Sequence, residues 1–218
     1  MLAVGREASS SIVWGGAAAT LFALAAALAP WRLLAELTMG REAPRSLVWM
    51  VVAGLAVTWT SYAASVGFLG PMVAWPLAAA GGVLACMACV DLKCFVIPDV
   101  HVGLLIVLAL WRPIGLGWTS VAAGAAVGAG LLLAVRWVFA RVRNVEALGL
   151  GDVKLIGALG ALVGPRSILW VIVATSAIGV AWGLILNKGR IDRAQPAPFG
   201  AFAAIPAAVV GALAILLP

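Results

Sequence analysis

The feature that most constrains this chain is its division into long apolar segments separated by short polar ones. A helix needs about 20 predominantly apolar residues to cross the hydrocarbon core of a bilayer. Proline and glycine mark the boundaries between the segments, as expected between helices. The sixth segment is short and interrupted by glycine, so we expect it to be tilted, thinly covered or partly buried among the others. The eight segments are 11–29, 47–68, 73–90, 102–116, 121–139, 153–163, 168–186 and 199–217. They predict an all-α, polytopic transmembrane helix bundle.

Composition excludes the soluble alternatives. Hydrophobic residues make up 65% of the 218 residues and charged residues 10%, against roughly 45–50% and about 25% in soluble domains. One soluble core of this size does not bury so much apolar surface, and too few charges remain to solvate a disordered chain. The polar stretches are also shorter than the roughly 50 residues that a soluble domain needs. The lipid bilayer is therefore the predicted surrounding of the chain.

The basic residues predict the orientation of the bundle. With the N-terminus outside, the inner segments are 30–46, 91–101, 140–152 and 187–198, with the adjoining helix ends. Of the 14 lysines and arginines, only Arg6, Arg112 and Arg166 then fall outside, and the other eleven lie inside. This bias is the positive-inside pattern of membrane proteins. It accounts for the net charge of +6 without a nucleic-acid partner, which we do not expect.

Two of the eight acidic residues stand at the edges of apolar segments. Asp91 closes the third segment and Asp152 opens the sixth. A carboxylate at the edge of hydrocarbon is costly, which makes each a functional candidate. Two complete spans separate them, so both lie on the same side of the membrane. Two facing carboxylates share a proton, because like charges at close range resist joint ionisation. One can then activate water while the other donates to a carbonyl, as in aspartic proteases.

The residues around Asp152 leave two interpretations open. Gly149 and Gly151 permit tight backbone geometry and the close approach of an extended substrate segment. An aspartate at the start of a helix is equally favoured by capping and by the helix dipole.

Three short motifs carry a resemblance to a known family. The segment Asp91-Leu92-Lys93-Cys94-Phe95-Val96-Ile97-Pro98-Asp99 resembles the D-x5-[IL]-P-D motif of type IV prepilin peptidases. The segment Gly149-Leu150-Gly151-Asp152-Val153-Lys154-Leu155 resembles their G-x-G-D-x-K-L motif, and Pro198-Phe199-Gly200 is similar to the P-F-G that opens their last helix. The joint occurrence of the motifs is far more specific than any one of them. The resemblance extends over approximately residues 75–217.

The resemblance implies an intramembrane aspartyl endopeptidase of the G-x-G-D type in the bacterial inner membrane. Such an enzyme removes the short basic leader from type IV prepilins or pseudopilins on the cytoplasmic side, and pilus or secretion assembly proteins are its implied partners. The catalytic pair maps to Asp91 and Asp152. Asp99 and Lys154 also match these motifs. The alternative interpretation of Asp99 is a turn residue, and that of Lys154 is a membrane-edge lysine that extends to water. The implied substrate-binding or supporting residues are Gly149, Gly151, Lys154, Asp99, Pro98, Pro198, Phe199 and Gly200.

The chain departs from the larger, bifunctional members of that family. Their zinc-binding loop carries paired C-x-x-C motifs, whereas residues 30–46 contain no cysteine. Cys86 and Cys89 form a C-x-x-C inside an apolar run, where packing is the favoured role. We therefore expect a short form with no metal, no cofactor and no methyltransferase activity. Residues 1–72 are interpreted as an N-terminal two-helix membrane part of unknown role, and 73–218 as the catalytic membrane domain.

Rival functions have weaker support in the sequence. The chain has no H-E-x-x-H and no G-x-S-x-G, and its single histidine, His101, is interpreted as a polar helix-start residue. A proton-coupled carrier would also use intramembrane carboxylates, but it predicts them deep within spans and leaves the motifs unexplained. An inactive assembly subunit of a pilus or secretion system has no need of the aspartate pair.

Small residues recur at four-residue spacing in two segments. Gly124 and Gly128 form one pair, and Gly160 and Gly164 form another. Such pairs allow close helix contact in membranes, although glycine is also abundant throughout this chain, with 25 copies.

Overall fold

The structure, a computed structural model, describes residues 2–28, 43–111, 115–143, 148–186 and 197–216. In that part of the chain there are eight helices and no strands, which confirms the all-α prediction. They are α1 (Leu2–Leu28), α2 (Ala43–Leu69), α3 (Pro71–Cys94), α4 (Asp99–Leu110), α5 (Trp118–Arg143), α6 (Leu150–Val163), α7 (Pro165–Leu186) and α8 (Phe199–Leu216).

Three of the described helices are long and apolar enough to cross a membrane by length and composition. Their qualifying ranges are Pro71–Cys94, Trp118–Val142 and Pro165–Ile185. Shorter apolar stretches lie in α1, α2, α4 and α8. The whole is a helical membrane bundle.

The fourth helix differs from the predicted segment at both ends. The apolar pattern predicted 102–116, whereas α4 is Asp99–Leu110. The N–H of Trp111 bonds the carbonyl of Leu108 at 3.2 Å and closes the last turn. Proline disfavours helical backbone at the residue before it, and the described residues 115–117, which follow Pro113 in the sequence, are not helical.

The short sixth helix lies inside the bundle, which agrees with the burial alternative and exceeds the partial burial expected. From Leu155 to Val163 every residue of α6 is buried, and α4, α5, α7 and α8 all pack against it. Gly164 ends α6 with a φ of 87°, a conformation that side chains other than glycine rarely adopt.

Glycine brings α5 and α6 into backbone contact. A Cβ atom on Gly124 would overlap the carbonyl oxygen of Gly160, and a Cβ atom on Gly160 would overlap that of Gly124. A Cβ atom on Gly128 would lie 2.5 Å from the carbonyl oxygen of Ile156. The predicted role of these small residues in close helix packing is confirmed.

The two N-terminal helices pack against α3 through small side chains. A Cβ atom on Gly54 in α2 would overlap the sulfur of Cys86, and one on Gly82 in α3 would overlap the hydroxyl of Thr58. Cys86 is fully buried, with its Sγ 3.9 Å from the carbonyl oxygen of Ala23 in α1. The packing interpretation of this cysteine agrees with its position.

Candidate active site

Asp91 lies in the last turn of α3 and is buried, with 3% of its surface exposed. Its own carbonyl accepts the N–H of Phe95 at 2.9 Å, and Phe95 ends the helix in the left-handed conformation, with a φ of 52°. Its carboxylate faces the start of α8. The Oδ2 atom accepts a hydrogen bond of 3.0 Å from the backbone N–H of Ala201.

Ala201 belongs to the first turn of α8, whose backbone donors have no partner within the helix. Pro198 immediately precedes this helix, and its carbonyl accepts the N–H of Phe202 at 3.2 Å. Phe199 packs against the apolar core. The carboxylate of Asp91 therefore caps a helix 110 positions away in sequence, where the helix dipole favours negative charge.

Asp152 lies in the first turn of α6 and ahead of its buried apolar stretch. Its Oδ2 accepts the N–H of Gly149 at 3.2 Å. Burial raises the pKa of Asp152 to about 6; the hydrogen bond from Gly149 lowers the pKa, and the charge of Asp91 raises it further. Asp152 therefore caps its helix, and the charge of Asp91 also acts on its carboxyl group. The capping role and the proposed role in a carboxylate pair are compatible.

The chain before Asp152 is anchored by α5. The guanidinium of Arg136 donates to the carbonyl of Leu148, the residue before Gly149. This hydrogen bond fixes the entry to α6 from a neighbouring helix.

Ile97 is the residue that the sequence analysis missed. A Cβ atom on Gly151 would lie 3.4 Å from the Cβ of Ile97, and one on Gly200 would lie 3.1 Å from its Cδ1. The same atom on Gly200 would lie 3.2 Å from Oδ2 of Asp91. One side chain of the first motif thus touches the glycines of the other two. Its place before Pro98 in the first motif was the available signal.

Asp99 and Lys154 form an ion pair, with Nζ 2.9 Å from Oδ1. Asp99 begins α4 and Lys154 lies in the first turns of α6, so the pair joins two motif helices. Both side chains are exposed. The motifs predict separate roles for these two residues and give no sign that they pair.

A local hydrogen bond stabilises the turn before α4. Pro98 is the buried N-cap of α4, and the carbonyl of Pro98 accepts the N–H of His101 at 3.1 Å. His101 stands at the helix start, as expected, but it is fully buried rather than solvated. Among the described residues, no three side chains of histidine, cysteine, aspartate or glutamate form a group suited to a metal ion.

All the predicted site residues therefore lie where α3 ends and where α4, α6 and α8 begin. Contacts between the motifs run from Asp91 to α8, from Ile97 to Gly151 and Gly200, and from Asp99 to Lys154. Counting spans predicted that the two carboxylates share one end of the bundle, and this is where the structure places them.

Comparison with known proteins gives a consistent set of relatives. Residues 78–184 match the type IV leader peptidase family. A prepilin leader peptidase/N-methyltransferase of Xanthomonas campestris pv. campestris is 46% identical over 89 residues, covering 40% of this chain and 31% of that protein. A protein of the same description from Burkholderia pseudomallei is 32% identical over 152 residues, 65% of this chain and 48% of that one.

A shorter relative is the leader peptidase HopD of Escherichia coli. It is 36% identical over 92 residues, which cover 40% of this chain and 58% of HopD. The chain thus spans less than two thirds of the length of each of these relatives. No solved structure gives a significant match.

Proposed function

We propose that this chain, which belongs to the type IV leader peptidase family, is an intramembrane aspartyl endopeptidase that removes leaders from type IV prepilins or pseudopilins. Asp91 and Asp152 are its catalytic pair. The observation that carries the proposal is the meeting of the three motifs at one end of the bundle, with a buried carboxylate on α3 and a second at the start of α6.

The chemistry requires one ionised and one protonated carboxyl. The ionised aspartate takes a proton from water as the water oxygen bonds to the scissile carbonyl carbon. The protonated aspartate gives its proton to the carbonyl oxygen, which forms a tetrahedral diol. The C–N bond then breaks as the leaving nitrogen takes a proton from one aspartate, while a diol hydroxyl gives its proton to the other, which forms the new carboxyl terminus and restores the pair. The raised pKa of Asp152 supports a proton held in this pair.

The site faces the cytoplasm in this proposal. The first motif lies in segment 91–101 and Asp152 of the second motif closes segment 140–152, and the distribution of lysine and arginine supports an inner position for both segments. The leader of the substrate is short and basic, and the apolar helix that follows it enters the bundle. We place the chain in the bacterial inner membrane with several spans, alongside pilus or secretion assembly proteins.

The two parts of the chain have different proposed roles. Residues 73–218 form the catalytic membrane domain, and 1–72 form an added part, of which α1 and α2 pack against α3. The methyltransferase named for the longer relatives is not part of this proposal, because residues 30–46 contain no cysteine with which to build a zinc loop. Residues 29–42 lie outside the described part of the chain.

The test is leader cleavage by the purified chain in lipid. The substrate mass is recorded for wild type, Asp91→Asn and Asp152→Asn, with Asp192→Asn as the control carboxylate outside the three motifs. We expect wild type and the control to release the leader. Each motif variant should lose at least about 10³-fold in rate, because removal of either catalytic partner disables the pair.

The outcomes separate the rival functions. Cleavage that survives in Asp91→Asn or Asp152→Asn, with folding intact, would refute the pair. A wild-type chain that cleaves none of a broad prepilin panel would instead favour a carrier or an inactive assembly subunit.

A further inference from the structure

We infer that Ile97 is a positioning residue, a spacer that fixes the separation of Asp91 and Asp152 by seating between the glycines of the second and third motifs. The inference rests on the proposed function. It assigns a role to a residue that neither carries a charge nor touches the reacting atoms.

Ile97 lies against a glycine close to each of the two carboxylates. Gly151 directly precedes Asp152, and its Cβ position is 3.4 Å from the Cβ of Ile97. Gly200 precedes Ala201, the donor to Asp91, and its Cβ position is 3.1 Å from Cδ1 and 3.2 Å from Cγ1 of Ile97. The side chain is half-buried and packs against the core.

The two glycines differ in how much space they leave. At Gly151 an added methyl would make an ordinary contact with Ile97. At Gly200 it would press on both Ile97 and the Oδ2 atom of Asp91, 3.2 Å away. Core atoms are close-packed, so a crowded side chain displaces its neighbours. Gly200 is thus the tighter seat, and its crowding acts directly on a catalytic carboxylate.

Ile97 is itself held in place by the chain that follows. Pro98 fixes its own φ at −67° as the N-cap of α4 and is buried. The ion pair of Asp99 with Lys154 then ties the same turn to α6. Because Ile97 is held in place, the size of its side chain sets the position of α6 relative to α8.

The test is a double-mutant cycle in the full chain in lipid. The variants are Gly200→Ala, Ile97→Val and the double variant. Ile97→Val removes Cδ1, the atom closest to the added methyl, and leaves the contacts at 3.2 Å to Cγ1 and to Oδ2 of Asp91, so a partial rescue is expected. The matched control is Gly103→Ala in α4, where an added Cβ has nothing within 4 Å. Two readouts are taken, the kcat and KM for a prepilin that the wild type cleaves, and the thermal midpoint of the purified protein.

We expect Gly200→Ala to lower kcat by about 10- to 100-fold with little change in KM, because small displacements of catalytic groups are costly. Ile97→Val added to Gly200→Ala should restore kcat by at least about threefold, the signature of two residues in direct contact. The thermal midpoint should show the same rescue. Gly103→Ala should behave as wild type.

Three results would overturn the spacer role. One is wild-type kcat in Gly200→Ala. Another is an additive double variant, in which Ile97→Val gives no rescue of either kcat or the thermal midpoint. The third is a loss confined to KM. If the wild type cleaved no prepilin, the proposed function would fail, and the thermal cycle would still decide whether Ile97 seats against Gly200.

Discussion

Asp152 accepts a hydrogen bond from a backbone N–H close to it in the sequence, whereas the backbone donor to Asp91 is distant. Asp152 accepts the N–H of Gly149, the N-cap of its own helix, whereas Asp91 accepts the N–H of Ala201 from another helix. Asp152 therefore keeps its local hydrogen bond whenever α6 is formed. Asp91 keeps its hydrogen bond only while α3 and α8 remain docked.

The raised pKa of Asp152 predicts the pH dependence of cleavage. Its carboxyl is protonated below a pH of about 6 and ionised above it. We expect kcat/KM to fall as the pH rises through and above this value, because the pair then loses the proton that it donates to the substrate carbonyl. The measurement is the rate of leader release from pH 5 to pH 8, roughly the range in which such a pair titrates.

Substrate binding measured over the same range is the control for this pH profile. A rate that increases steadily as the pH rises through 6 would contradict a shared proton and would point to two ionised carboxylates.

The sequence was sufficient to select both carboxylates as candidates but not to find their hydrogen-bonding partners. Asp91 and Asp152 adjoin apolar segments, and counting the spans between them predicts a common side. The donor to Asp91 lies 110 residues away, and the partner of Lys154 lies 55 residues away. Hydropathy and short motifs report local conformation, so they contain no information on which distant groups meet.

At the scale of elements, the ion pair of Asp99 and Lys154 ties α4 to α6. Both side chains are exposed, so the pair contributes less than about 1 kcal/mol to stability. Its expected role is to hold the two motif helices in register. We predict that Asp99→Lys and Lys154→Asp each lower the cleavage rate and that the reversed pair recovers most of it.

The check on this prediction is the cleavage rate of the two single variants and the double variant, with the thermal midpoint measured alongside. Equal loss in the double variant and in the single variants would show that the attraction between the two charges does not matter.

The contact between α5 and α6 predicts opposite effects of the same change at two glycines of one helix. Gly124→Ala should destabilise the protein by about 1–3 kcal/mol, because its methyl would overlap the carbonyl oxygen of Gly160. A Cβ atom added at Gly130 would have nothing within 4 Å, so Gly130→Ala should be neutral or stabilising by up to about 1 kcal/mol.

Unfolding of both glycine variants in detergent tests this prediction. The two are matched in chemistry and helix, so equal stabilities would mean that α5 and α6 do not approach as closely as described.

Helix positions were largely predictable because each depends on local apolar length and on nearby proline or glycine. The end of α4 was not. The apolar residues continue beyond Pro113, so hydropathy predicts a longer helix. Hydropathy does not register that proline lacks the backbone N–H needed to continue a helix. The close approach of α5 and α6 was suggested by glycine spacing, but the partner of each glycine emerges only from packing.

At the scale of the whole molecule, the distribution of charge predicts a topology. A reporter that is active only outside the cytoplasm, inserted in the loop at 115–117, should be active. The same reporter inserted at 144–147 should be inactive, because this segment adjoins the second motif and the basic end of α5. The opposite pattern would place the candidate active site outside the cytoplasm and would rule out cytoplasmic leader cleavage.

Seating of Ile97 against two glycines also constrains how relatives of this chain can diverge. The three positions share one volume although they are far apart in sequence. A relative with alanine at the position of Gly200 should therefore carry valine or a smaller residue at that of Ile97, and the pair should change together along lineages. Chimeras that exchange only one motif between distant members should misfit, whereas those that exchange the three as a set should keep their activity.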